Sequence, residues 1–340
     1  MTQDDPLGPM LTSAPPVLSM QDALALLQTH YGLSGDALAL TSERDLNFRI
    51  STGAGRFVLK IANDSEPPAV TRFQNAALLH IAARDPALPV PRVVPTLAGT
   101  TDVVLPGGSL MRLLTYVEGV PMYRAAPSQA LRRSMGAMAA RLTRALEGFA
   151  HPAADHVLQW DLKQAAALRP LLPAIADDAL RGLCSDWLDR FTREIKPALA
   201  FVPWQVVHAD LNPHNVLVDP EDATRVSGVL DFGDMVHTPR LCDLAVAASY
   251  QIDVANPLDS LADVVAAWHR ELPFQPEEQA LIFDLTAIRM VTTLAITSFR
   301  AARYPENATY ILRNFETARA GLLGFASLPR DAALARMRME

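Results

Sequence analysis

Val206-Val207-His208-Ala209-Asp210-Leu211-Asn212-Pro213-His214-Asn215-Val216-Leu217-Val218, followed after a short loop by Val229-Leu230-Asp231-Phe232-Gly233-Asp234, is the stretch on which the reading of this chain turns. His208, Asp210, Leu211 and Asn215 fit the spacing H-x-D-L-x-x-x-N, and Asp231-Phe232-Gly233 comes after it. Val206-Val207 and Val216-Leu217-Val218 predict short buried strands on either side of a polar loop. Val229-Leu230 predicts another strand, one that delivers Asp231. A plain polar turn would also use Asp and Asn. Two ordered motifs separated by a hairpin-sized gap, both at strand ends, weigh against that reading.

These residue types suit phosphoryl transfer. An attacking hydroxyl needs an acceptor for its hydrogen, and Asp210 is the candidate. A triphosphate needs a divalent cation, and Mg2+ prefers hard oxygen ligands. Asn215 and Asp231 offer one neutral and one anionic oxygen. Gly233 lets the chain turn sharply after the ligand. His208 reads as an internal brace. Asp234 is a candidate for holding a second metal or an amine, with a solvated loop carboxylate as the alternative. Asp243 opens an apolar helix and reads as structural, either capping that helix or bracing the loop of His208.

The stretch resembles the aminoglycoside phosphotransferase and choline kinase superfamily of small-molecule kinases, and within it is most similar to the hydroxylysine kinase group. Three segments carry the resemblance: Ser42 to Phe48 with Val58-Leu59-Lys60; Arg112 to Tyr116; and His208 to Asp234 with Asp243-Leu244-Ala245. Pro305-Glu306-Asn307 with Tyr310 adds a weaker fourth. The resemblance implies an α+β, protein-kinase-like, two-lobed fold. Its small antiparallel-sheet N-lobe would carry one helix, and its larger C-lobe would be mainly helical. The expected divisions are a flexible tail over 1–17, a nucleotide-phosphate-binding lobe over 18–116, and a lobe with the catalytic loop and acceptor site over 117–330. The implied reaction moves the γ-phosphoryl group of ATP or GTP, with Mg2+, to a hydroxyl of a small amine or hydroxylated amino acid. An aminoglycoside-type acceptor is a rival within this class. A catalytically silent nucleotide-binding regulatory module is a rival outside it.

Asn47-Phe48-Arg49-Ile50 and Arg56-Phe57-Val58-Leu59-Lys60 flank Gly53-Ala54-Gly55 and predict a hairpin. Lys60 ends its strand at the position whose ammonium grips nucleotide phosphates. The preceding segment lacks a glycine-rich loop, so Ser42, Arg44 and Asn47 would supply donors from side chains. A helix opens at Pro67-Pro68 and runs to about Arg84. Kinases carry on this helix a glutamate paired to the lysine. Here the position falls on Gln74, which can accept a hydrogen bond but adds no charge; Glu66 is an alternative partner. Leu114-Thr115-Tyr116-Val117 reads as the linker, with Leu114 and Tyr116 beside the base. Its backbone can read adenine or guanine. The close relatives implied by the resemblance use GTP, a slight tilt between the two.

Residues 127–200 read as helical. Further helices are expected over Leu258 to His269, Pro276 to about Tyr304, and Ala308 to Leu323. Arg289 and Arg300 interrupt apolar stretches, so each either pairs internally or faces a pocket. With Asn307 and Tyr310 they are candidates for substrate contact, since a guanidinium can clamp a carboxylate. The formal net charge of −7 carries no basic stripe, which disfavours a nucleic-acid partner. The two cysteines, Cys184 and Cys242, fall outside any C-x-x-C pair and suit a reducing cytoplasm. The start of the chain lacks a signal-peptide pattern, and the best apolar run is broken by Arg289, so no membrane partner is expected. The protein is expected as a monomer or a homodimer.

Overall fold

The computed structural model describes residues 16–40, 42 and 45–338. Two compact units emerge from its contacts. One runs up to Glu118 and takes in His151–Ala154; the other comprises Gly119–Ala150 and the chain from Asp155 onward. Of the expected tail, residues 1–15 lie outside the described residues.

The first unit opens with helix α1 (Met20–Tyr31). The Asp22 N–H donates to Ser19 Oγ at 3.1 Å, which satisfies one of the donors a first turn leaves open. Gly32 ends the helix at φ 66°, where a side chain would strain the backbone. Strands β1 (Gly35–Leu40), β2 (Leu46–Thr52), β3 (Gly55–Ile61), β4 (Val93–Val94), β5 (Val103–Val104) and β6 (Leu110–Thr115) form an antiparallel sheet in the order β1-β2-β3-β6-β4, with β5 also on β6. Side chains alternate between faces along a strand. One parity sends Phe48, Ile50, Leu59, Ile61, Met111 and Leu113 into a core with Ala23, Leu27 and Tyr31 of α1. Burying each large side chain is worth roughly 1.5–3 kcal/mol. The other parity sets a polar row, because Lys60 lies directly across from Asn47 on β2 and from Arg112 on β6. Arg112 reaches helix α2 (Pro68–Arg84), whose Val70, Phe73, Ala77, Leu78 and Ile81 are buried.

In the second unit, β7 (Val120–Pro121), β9 (Val216–Val218) and β10 (Val226–Val229) make one small sheet. Strand β8 (Trp204–Val207) pairs with β11 (Val236–Pro239) in another. Its longer helices are α3 (Gln129–Ala145), α4 (Asp178–Arg190), α5 (Leu241–Ser249), α6 (Pro257–Glu271), α7 (Ile282–Arg303), α8 (Phe315–Ala326) and α9 (Arg330–Arg336). Helices α3 and α6 meet closely at Gly136, where a Cβ would fall 2.2 Å from the Val264 carbonyl oxygen. Helix α7 is long and apolar enough to cross a membrane, yet it is buried within its unit as core helices are.

The expectation of a helical stretch over 127–200 needs correction. Residues 152–155 and 162–174 wind as 3-10 turns, where Pro170 and Pro173 remove donors an α-helix would use. The expected Pro276–Tyr304 helix divides into Pro276–Gln279 and α7. The expected Ala308–Leu323 helix divides into Ala308–Ile311 and α8, with a 3-10 turn between them.

Candidate active site

The loop after β8 is pinned from below. Asp243, in the first turn of α5, accepts hydrogen bonds from the His208 N–H at 3.1 Å, the Ala209 N–H at 2.7 Å and the Thr143 hydroxyl at 3.3 Å. Burial pushes this carboxyl above the ordinary carboxylate range, although the N–H donors hold it back. The clamp holds Ala209 at φ 63°, a left-handed conformation uncommon for a residue with a Cβ. His208 is fully buried and is a brace, as its residue context suggests. Its Nδ1 accepts the Asp210 N–H at 3.2 Å, which leaves Nε2–H to donate to the Leu230 carbonyl at 3.0 Å. Phe232 meets the imidazole edge-on, with centroids 4.8 Å apart. The two sequence motifs are therefore tied together through one imidazole.

The Asp210 carboxylate is held by a ring of donors. Asn212 Nδ2 lies 2.9 Å from both of its oxygens, and Asn215 Nδ2 donates to Oδ2 at 2.7 Å. Arg289 Nη2 approaches Oδ1 at 3.3 Å and donates to Tyr250 Oη at 3.1 Å. The Arg289 guanidinium carbon lies 5.1 Å from the Trp160 ring centroid and 5.8 Å from that of Tyr250. Burial and the neighbouring Asp234 raise the Asp210 pKa, with Arg289, Asn212 and His208 opposing them. Burial works against the Arg289 charge, but Tyr250, Asp210 and Asp234 outweigh it and leave its pKa raised. Arg289 Nε and Nη1 are buried and have no hydrogen-bond partner among the described residues.

Asn215 turns its amide nitrogen to Asp210, so its Oδ1 is the atom left for a cation. Asp231 is exposed and sits at φ 57°, with its Oδ1 accepting the Gly233 N–H at 3.2 Å. Among the described residues no group of three or more His, Cys, Asp and Glu side chains could hold a metal. That accords with Mg2+, which takes one or two protein oxygens and completes its shell with phosphate and water. One amide oxygen and one exposed carboxylate fit that demand.

In the first unit Lys60 pairs with Asp45 at 3.4 Å. Asp45 Oδ1 also accepts the Asn63 N–H, and Ser42 Oγ accepts the Asp45 N–H, both at 3.3 Å. Gln74 turns its Oε1 to Arg112 Nη2, while Asn75 Oδ1 accepts from Arg112 Nη1 at 2.8 Å. Glu66 accepts from the Thr71 hydroxyl. The carboxylate beside the lysine thus comes from the segment before β2. The helix amides serve the arginine because a buried guanidinium needs acceptors close at hand. Asn47 Oδ1 is buried with no hydrogen-bond partner among the described residues. Leu114 is buried in β6, and just beyond it the Tyr116 N–H donates to the Arg56 carbonyl at 3.0 Å. Arg44 lies outside the described residues.

Of the candidate substrate contacts, Asp234 and Arg289 come together at Asp210. Arg300 is buried further along α7. Asn307 and Tyr310 are exposed, and Arg313 lies 3.9 Å over the Tyr310 ring. Around Asp210, Asn212, Trp160 and Tyr250 escape the motif, and of these only Asn212 leaves a sequence signal, since an Asn two residues past an Asp in a polar loop bonds locally. Around Lys60, Asp45 and Arg112 lie in segments that carry the resemblance but are given no role by it.

A carboxylate on a pinned loop, with an exposed aspartate just past the end of β10, marks a phosphotransferase of protein-kinase-like fold. The model of the phosphotransferase enzyme family matches residues 37–281, and the chain belongs to that family. The hydroxylysine kinase of Mus musculus is 29% identical over 90% of this chain and 88% of its own. Among solved structures, a microcompartment-associated aminopropanol kinase superposes with a TM-score of 0.64 at 18% identity, covering 87% of this chain and 94% of that one. An amicoumacin kinase in complex with AMP-PNP and Ca2+ does so with a TM-score of 0.63 at 12% identity, covering 88% and 93%.

Proposed function

We propose that this chain is a small-molecule kinase of the cytoplasm. It transfers the γ-phosphoryl group of ATP or GTP to a hydroxyl of a small amine or hydroxylated amino acid. The observation that carries this reading is the Asp210 carboxylate, fixed by Asn212, Asn215 and Arg289 on a loop clamped by Asp243. Asp210 orients the acceptor hydroxyl and takes its proton. The hydroxyl oxygen bonds to the γ-phosphorus as the bond from that phosphorus to the β–γ bridging oxygen breaks, and the nucleoside diphosphate leaves. Asn215 and Asp231 would hold Mg2+, which when bound would neutralise charge on the triphosphate oxygens. Lys60 grips the phosphates, with Asp45 in the part a helix glutamate plays in protein kinases. Leu114 and Tyr116 lie beside the base.

The absence of a glutamate at Gln74 favours a silent module only if Lys60 has no carboxylate partner. Asp45 removes that argument. A screen for released nucleoside diphosphate over hydroxylated amines, amino acids and aminoglycosides, run with ATP and with GTP, tests the proposal. Turnover by the wild type and its loss in Asp210→Asn are expected. Nucleotide binding with no turnover on any acceptor would overturn it.

A further inference from the structure

The second unit contains a cavity of about 760 Å3 whose wall includes Pro213, His214 and Tyr250. The volume falls within the range of small-molecule sites, roughly 300–1,000 Å3. Two routes of hydrogen bonds tie this wall to Asp210. On one side the His214 N–H donates to Asn212 Oδ1 at 2.8 Å, and Asn212 Nδ2 lies 2.9 Å from both carboxylate oxygens. On the other, Tyr250 Oη lies 3.1 Å from Arg289 Nη2, which is itself 3.3 Å from Asp210 Oδ1. At most the sum of those last two lengths separates the phenol oxygen from the carboxylate. A short carbon chain with an oxygen at each end spans such a gap.

The Tyr250 hydroxyl has a donor to spare. A guanidinium offers no acceptor, so in the contact with Arg289 the phenol oxygen accepts. The phenol's own hydrogen is left over, and no acceptor for it occurs among the described residues. Tyr250 is half-buried in the cavity wall, which makes an occupant of the cavity the partner within reach. The oxygen is also held in place. The Arg289 side chain is only 2% exposed, and its guanidinium carbon lies between the rings of Trp160 and Tyr250, 5.1 Å and 5.8 Å from their centroids. A donor anchored to so enclosed a cation gives up little freedom when a ligand takes its hydrogen. Packing against the guanidinium needs only the ring, and satisfying Nη2 needs only the oxygen. Neither uses the hydrogen.

We propose that Tyr250 is a specificity-determining residue of the acceptor site, its phenolic O–H donating to an oxygen that the acceptor carries besides the reacting hydroxyl. This rests on the kinase reading above. The acceptor is thereby held at two oxygens, one at Asp210 and one at Tyr250, with Arg289 fixing the spacing between the two protein groups. The second oxygen belongs to a carboxylate or to a further hydroxyl, since either accepts a hydrogen bond from a phenol. A site built to donate to that oxygen discriminates against an analogue that lacks it, because the donor is then left unpaired.

The test compares kcat/KM of wild type and Tyr250→Phe on two pairs of acceptors. In 5-hydroxylysine and 1,5-diaminopentan-2-ol the members differ by the carboxylate. In 2-amino-1,3-propanediol and 2-amino-1-propanol they differ by the second hydroxyl. The wild type is expected to prefer the oxygen-richer member of at least one pair by about tenfold or more, the scale of one hydrogen bond to a well-placed donor. The pair that shows the preference identifies the group that is read. In Tyr250→Phe that ratio falls toward one. Loss of the acceptor for Arg289 weighs on both members of a pair alike, so the ratio reports the donated hydrogen and not a structural role. A ratio undiminished in Tyr250→Phe, whether or not both rates fall, overturns the inference, because the phenol then serves Arg289 alone. A wild type indifferent to the extra oxygen in both pairs overturns it without any variant; if Asp210→Asn abolishes that turnover, the kinase reading stands. A wild type that turns over none of the four also overturns it, and the wider acceptor screen then decides the kinase reading separately.

Discussion

Replacing Asp243 with Ala tests whether the Asp210 loop is held from beneath. The substitution removes the acceptor for two buried backbone N–H groups, those of His208 and Ala209, and for the Thr143 hydroxyl. Each buried donor left unpaired costs about 1–3 kcal/mol, or roughly 2–6 kcal/mol for the pair. Relief from burying a carboxylate offsets part of that, and a net loss of about 2–4 kcal/mol is expected. Urea unfolding at pH 7, followed by tryptophan fluorescence, measures it. Acid adds a second check. Burial raises the folded-state pKa of Asp243 above its ordinary value of 3.8, so the native state binds this proton more tightly than the unfolded chain. The stability so gained is full below the unfolded pKa and is lost as pH rises through the folded one. The gap between wild type and variant therefore widens toward acid. Where both proteins are folded, kcat is expected to fall by at least about tenfold, because Ala209 loses what keeps it left-handed next to Asp210, the proposed base. A stability loss under about 1 kcal/mol, with kcat unchanged, would refute the clamp.

Asp210→Asn is expected to lower kcat by about two to four orders of magnitude with nucleotide affinity nearly unchanged, as isothermal titration and steady-state rates would show. Asp45→Asn removes the carboxylate beside Lys60; since the pair is only partly buried, kcat/KM for the nucleotide is expected to drop about fivefold, and an unchanged value would dismiss Asp45 as a positioning residue. Arg289→Met withdraws a cation that opposes the upward pull of burial and Asp234 on Asp210. The acid limb of the pH–rate profile is expected to move up by about one unit or more, since a close ion pair at intermediate dielectric is worth several kcal/mol and one unit is 1.36 kcal/mol. A limb that stays in place would show that Arg289 acts on something other than the base.

The loop, its strands and the family were legible because they depend on local spacing. His208, Asp210, Asn215 and Asp231 lie within 24 residues, and their strand-end positions follow from runs of valine and leucine. The period-two pattern also places Lys60 on the polar face of its sheet. What stayed hidden depends on contacts between distant segments. Tyr250 and Trp160 flank Arg289 from sequence separations of 39 and 129 residues, and no local pattern marks either as its neighbour. The breaks in the C-terminal helices were missed for a different reason. Apolar periodicity runs on through Ala280-Leu281 and through Leu312–Asn314, although the backbone there leaves the α-helix.

The first unit departs from the protein-kinase pattern in two ways that compensate each other. It lacks a glycine-rich loop and it lacks the helix acid. Register explains why these losses go together. Asn47, Lys60 and Arg112 form one row across β2, β3 and β6, so two cations share a face with little between them. The helix side of that row is occupied by Arg112, and Gln74 and Asn75 are committed to it. A carboxylate at position 74 would therefore meet the arginine first. The counter-ion of Lys60 has to come from the opposite side of the row, where Asp45 precedes β2. A flexible glycine loop would hold that carboxylate poorly. A segment bearing Ser42 beneath the Asp45 N–H, with Asp45 itself accepting from Asn63, fixes it in place. The side chains that replace the glycines thus also supply the acid that the helix gave up.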